Sequence, residues 1–175
     1  MVAELCITSN FTFLTGASHP EEYMRRAAVN GYEAIAISDD NTVAGIVRAH
    51  TEAREIARQV RERRQFDKTH GLIGPPRPKN CAPAPSAAIY CTPRLLPAAQ
   101  LILTDAPPVT ALAATRQGWA SLCRLLSKGR LRAQKGTCIL SMADLFDHSD
   151  GLELILHPVS QAQKPQHGAG AWDPH

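Results

Sequence analysis

Two adjacent carboxylates, Asp39 and Asp40, follow the apolar run Glu33–Ser38 and precede a periodic stretch that begins at Val43. A carboxylate at such a strand-to-helix junction can hold a divalent metal, although capping the following helix is the commoner use of Asp there. Cys6 and Thr8 lie on one face of an earlier run, residues 2–8. Cys6 could add a soft ligand, or could simply be a small buried hydrophobe. Cys6, Asp39 and Asp40 are therefore the candidate metal ligands. The seven histidines are dispersed, and only His157 ends a strand-like run. No His-x-His, HExxH or CxxC pair occurs, which leaves a zinc centre little support. Neither GxGxxG nor a Walker A motif is present, so no small-molecule cofactor motif is found. Ser9 or Ser38 as a nucleophile would need a base that nothing in the sequence places nearby.

The other chemical feature is charge. Arg124, Lys128, Arg130, Arg132 and Lys135 follow one another with no acid between them. Such a run can contact the phosphates of DNA, or it can be a solvated helix end that offsets the dipole. A second basic stretch, Arg54 to Lys68, interleaves Glu55, Glu62 and Asp67 and reads as a salt-bridged helix surface.

The elements that must position these residues follow from periodicity and punctuation. Residues 2–8 and Glu33–Ser38 read as strands. Between them Ser18 and Glu21 form a capping-box pattern, Pro20 suits a first turn, and Gly31 supplies a left-handed stop. Val43, Ile46, Val47, His50, Ala53, Ala57 and Val60 keep a helical period. Residues 1–64 thus form a β-α-β-α unit. Across 65–93 both templates fail; nine of the 13 prolines fall between Pro75 and Pro108, and the segment is expected to be disordered. In 94–158, Leu101–Thr104 and Val109–Ala113 read as strands, and Arg116–Ser127 as a helix stopped near Gly129. Ser141 and Asp144 open a short helix, and Leu152–Leu156 reads as a buried strand. The tail, 159–175, is expected to be disordered. Alternation of strands and helices predicts an α/β fold with parallel strands. Its sites should gather at the strand C-termini, at Thr8–Asn10, Ser38–Asn41, Gln100–Asp105 and His157.

Composition sets the outer limits. The 175 residues are 44% hydrophobic and 20% charged, ordinary globular material with room for one domain. No run is long and apolar enough for a membrane span, and the N-terminus lacks a signal-peptide pattern. Five irregularly spaced cysteines then point to free thiols in a reducing cytoplasm. A net charge of +3 permits a nucleic-acid partner without requiring one, while 5% aromatics is lean for a single-strand stacking platform.

Four blocks in order carry a resemblance: residues 7–22 (ITSNFTFLTGASHPEE), 34–50 (AIAISDDNTVAGIVRAH), 118–136 (GWASLCRLLSKGRLRAQKG), and Met142–Phe146 through to 151–155. Together they resemble the N-terminal PHP domain of the DNA polymerase III alpha-subunit (C) family, in its error-prone branch. The resemblance implies a partial, distorted (β/α) barrel of PHP type, truncated before the barrel is complete. In metal-binding PHP domains the first strand carries His-x-His, which falls here on Cys6 and Thr8. The Asp-His after the second strand falls on Asp39 and Asp40, a Glu near Gln100, and a later His near Pro108. Of that early ligand set only Asp39 is unchanged, so the resemblance implies a degenerate metal site.

The family's palm, with its magnesium-binding carboxylates, is not among these residues. The chain is therefore expected to be a non-catalytic fragment whose partners are DNA and the remaining polymerase domains. A stand-alone metal-dependent phosphoesterase and a DNA-binding module are the alternatives. The likeness breaks at 65–93 and again after Pro158, as frameshifts at those places would produce.

Overall fold

The computed structural model describes residues 2–71 and 91–157. The parts of the expected disordered segments at 72–90 and 158–175 lie outside the described residues. The elements run β1 (Ala3–Ile7), α1 (Pro20–Asn30), β2 (Ala34–Ile37), α2 (Ala44–Thr69), β3 (Arg94–Leu101), β4 (Val109–Ala113), α3 (Arg116–Leu131), α4 (Met142–Asp147) and β5 (Leu152–Leu156). They build one five-stranded sheet in the order β1-β2-β3-β4-β5.

Only part of the sheet is parallel. β1, β2 and β3 run parallel, each pair linked through a helix, whereas β4 lies antiparallel to both β3 and β5. The expectation of parallel strands throughout fails at residues 102–108, a short link carrying Pro107 and Pro108. No crossover helix fits there, and only an antiparallel return is within reach. The third strand also begins earlier than expected, at Arg94, and ends where Leu101–Thr104 was expected to form a strand.

Pro97 sits inside β3 without breaking the ladder. Arg94 and Gln100 both donate their amides towards β2, to Glu33 and Asp39. By alternation the missing Pro97 donor faces the β4 side, where pairing starts only at Ala98.

The sheet is curled into a half-barrel. β1 and β4 are separated by two strands, about 14 Å across a flat sheet, yet Cys6 Sγ lies 3.9 Å from Thr110 Oγ1. Helices pack on the convex side. Met24, Ala27, Ile46, Ala49, Ile56 and Val60 of α1 and α2 cover Ile35 and Ile37 of β2. Leu122, Leu125 and Leu126 of α3 and Leu145 of α4 cover Ala99, Leu101, Val109 and Ala111. Each Met, Leu, Ile or Val among them, fully buried, contributes about 1.5–3 kcal/mol, and each alanine methyl about 0.8. The concave face holds Ala36, Ala98 and Leu112, with Leu5, Leu96 and Ile155 against them.

Several boundaries differ from the sequence reading for identifiable reasons. α1 is capped one residue later than expected: His19 is the N-cap, its amide bonded to Glu22 at 2.8 Å, because Pro20 takes the first helical position. α2 continues past residue 64 to Thr69, carried by an Arg63–Asp67 pair at 3.1 Å, and stops before Gly71 at φ +64°. α3 runs through Gly129 rather than ending there. That glycine serves packing, since a Cβ would meet Leu140 Cδ2 at 2.6 Å and Cys138 Sγ at 2.7 Å. β5 is an edge strand and not buried: Leu154 is 42% and Leu156 67% exposed.

Candidate functional site at the strand ends

The C-terminal ends of β1, β2 and β3 meet as expected. Gln100 donates its amide to Asp39 O and accepts the Asn41 amide on its carbonyl, at 3.1 and 2.8 Å. The Asn41 side chain, on a residue held at φ +50°, accepts the Ile102 amide at 3.0 Å. The antiparallel pairing of β4 with β5 brings a fourth element to the same end: the His157 amide reaches Pro108 O at 3.3 Å.

Asp39 is the centre of this end. It is 1% exposed, and its carboxylate accepts three hydrogen bonds: from Ser9 N and Ser9 Oγ at 2.7 Å each, and from Thr12 Oγ1 at 3.0 Å. Thr12 Oγ1 in turn accepts the Asp40 amide at 3.0 Å. The turn after β1 is thereby pinned to the end of β2. Gly16 permits the turn to close, since a Cβ there would lie 2.0 Å from Ser9 O. The partners of Asp39 lie about thirty residues upstream; Ser9 falls in the Thr8–Asn10 strand end where a site is expected, whereas Thr12 carries no signal.

Asp40 differs from its neighbour. It is half-buried, and among the described residues no hydrogen bond reaches its carboxylate. Burial pushes that carboxyl up, and the adjacent Asp39 charge adds to the shift. Cys6 turns elsewhere. Its thiol faces Thr110 Oγ1, which is 2.7 Å from His157 Nε2, so the concave face carries a Cys6–Thr110–His157 string.

A metal fits this arrangement poorly. Both Asp39 oxygens already accept protein protons, and the polar contact of Cys6 is with Thr110. Among the described residues no three His, Cys, Asp or Glu side chains form a group that could hold a metal ion. Cys6, Asp39 and Asp40 are therefore not brought together as one ligand set.

The basic run is divided by its partners. Asp144 on α4 accepts Lys128 Nζ at 2.9 Å and Arg132 through both oxygens, at 2.7 and 3.0 Å. Lys128 first, and Arg132 with it, hold the Asp144 carboxyl far below the usual carboxylate range, while Asp144 raises Lys128. Arg130 donates to Asn41 O at 2.8 Å, tying α3 to the strand ends. Arg124 and Lys135 make no ion pair among the described residues. The acids that neutralise the run thus come from the next helix, where the Ser141–Asp144 capping box, found as expected, sets their position. No helix among the described residues is long and apolar enough to cross a membrane.

The PHP domain family model matches residues 4–166. The chain is 43% identical over 164 residues to an error-prone DNA polymerase of Ruegeria pomeroyi, covering 89% of this chain and 14% of that one. It is 40% identical to one of Rhodopseudomonas palustris, covering 92% and 12%, and 34% identical to one of Rhodopirellula baltica, covering 94% and 11%. A solved structure described as a metal-dependent phosphoesterase of Bifidobacterium adolescentis matches with a TM-score of 0.41 and 16% identity, over 76% of this chain and 35% of that one. The chain spans 14% or less of the length of these polymerase relatives. With the half-barrel fold and a family match across nearly all its residues, the chain belongs to the PHP domain family.

Proposed function

We propose that this chain is the N-terminal PHP-type domain of an error-prone, damage-tolerant DNA polymerase, and that its role there is structural. One observation carries the reading: identity of 34–43% to error-prone DNA polymerases over 89–94% of this chain. The geometry at the strand ends supports a structural role, because Asp39 clamps a turn and leaves neither oxygen unbonded. The domain acts as a platform for the palm and thumb of the parent. DNA-templated nucleotide addition during translesion synthesis and repair in the cytoplasm, with its magnesium, belongs to those other parts.

The test is complementation. The Ruegeria pomeroyi polymerase is prepared without the segment that matches this chain, and the chain is added back. Co-elution and recovery of primer extension are expected. Failure to associate would sink the reading. So would manganese-dependent hydrolysis of a phosphomonoester by the chain alone, which would favour a phosphoesterase.

A further inference from the structure

The second basic stretch does not behave as one salt-bridged surface. On α2, Arg58 pairs with Glu55 and Glu62, at 2.6 and 2.7 Å, and Arg63 pairs with Asp67. Arg54, Arg61, Arg64 and Lys68 are exposed, and among the described residues none of them makes an ion pair. At about 100° per residue, these four fall within a sector roughly 80° wide. The acids of the helix lie outside that sector. Glu62 and Glu55 are about 80° and 100° beyond Arg54, with Arg58 between them and the stripe, and Asp67 is about 60° past Arg64. Arg58 therefore draws the two glutamates away from the four unpaired cations.

We infer that this stripe is a docking surface for the phosphate backbone of duplex DNA, bound without sequence preference. The four cations extend over about 21 Å of helix, roughly six base pairs of duplex axis. The core side of α2, with Ile56 and Val60 buried, fixes which way the stripe faces. Among the described residues the only side-chain hydrogen bond in the set is from Arg61 Nε to Ala57 O, which leaves its terminal guanidinium nitrogens to phosphate. The inference does not rest on the polymerase reading, since phosphate contact needs only charge and spacing.

The experiment is fluorescence anisotropy of the full chain with a labelled mixed-sequence duplex of about 20 base pairs, across a salt series. Four phosphate contacts contribute a slope of about −3.6 in log K against log salt, or roughly 150-fold in affinity between 50 and 200 mM. Arg54→Gln, Arg61→Gln, Arg64→Gln and Lys68→Gln together should remove that part of the slope. Glutamine keeps helix propensity, and circular dichroism checks the fold. Each single replacement should remove about 0.9 of the slope, which covers a quadruple variant that fails to fold. A folded quadruple variant with an unchanged slope would overturn the inference. Loss of the whole slope in Arg124→Gln with Lys135→Gln would do the same. Binding by the unaltered chain to phosphatidylserine vesicles in preference to the duplex would also overturn it.

Discussion

Ser9 holds the Asp39 carboxylate twice, through its amide and its hydroxyl, each at 2.7 Å and both out of solvent. A buried carboxylate is tolerated when its oxygens are matched by donors. The Asp39 carboxylate is thus the counterpart of the turn after β1, and removing it would orphan the donors of Ser9 and Thr12.

Asp39→Ala should therefore cost about 3 kcal/mol or more, because unpaired buried donors lose their hydration without recompense. The check is the urea midpoint. A shift worth less than about 0.5 kcal/mol would mean that the carboxylate is not structural. Asp40→Asn, at a half-buried carboxyl with no hydrogen bond among the described residues, should leave the midpoint nearly unchanged or raise it, since burial penalises the charged form.

The ion-pair cluster of α3 and α4 predicts a pH dependence. The folded Asp144 carboxyl titrates below its ordinary 3.8 because Lys128 and Arg132 hydrogen-bond its charged form. A depressed folded pKa gives stability that is complete above the ordinary value and is lost as pH falls below it. The unaltered chain should lose about 2 kcal/mol from this source on acidification, after allowing for the partial exposure of both cations. Asp144→Asn should be less stable at neutral pH and should lack that part of the acid loss. Melting temperatures of both proteins across pH 2–6 would decide; parallel curves would remove Asp144 from the account.

On α2, hydrogen bonds from Arg58 first, and from Gln59, lower Glu55 from 4.5 to about 2. Arg58→Met should move the Glu55 midpoint back towards 4.5, read by carboxyl NMR. It should also weaken DNA binding, because the released glutamates can then approach the cationic stripe. A midpoint that stays low would show that Arg58 does not control the two acids.

Which parts of this structure could be read from the residues follows a physical division. Short-range signals were legible: the apolar runs of β1 and β2, the Gly31 stop at φ 75°, and the Ser141 box. Strand direction after β3 does not follow from hydrophobic period, which is the same in parallel and antiparallel ladders; the signal for it is the 102–108 link, too short for a crossover helix. The site was half legible. Asp39 stands out by its place after a strand, but its use depends on Ser9 and Thr12, which only the curl and the turn bring to it. The cations of α3 looked uncompensated for the same reason: Asp144 is distant along the chain and close in space.

Gly129 sets two effects against each other, and magnitudes decide between them. In an exposed helix interior, Gly→Ala stabilises by about 1 kcal/mol through propensity. Here the added Cβ would stand 2.6 Å from Leu140 Cδ2 and 2.7 Å from Cys138 Sγ, and Leu140 is fully buried. Overpacking of that kind costs about 1–3 kcal/mol. The Ile139 amide also bonds to Gly129 O at 3.1 Å, so the strap carrying Cys138 and Leu140 cannot back away without losing that bond. Gly129→Ala should therefore destabilise by about 1–2 kcal/mol despite its better helix propensity, measured by the denaturant midpoint at constant slope. A stabilising result would mean that the strap carrying Cys138 and Leu140 gives way to the added methyl, so that helix propensity and not packing decides at Gly129.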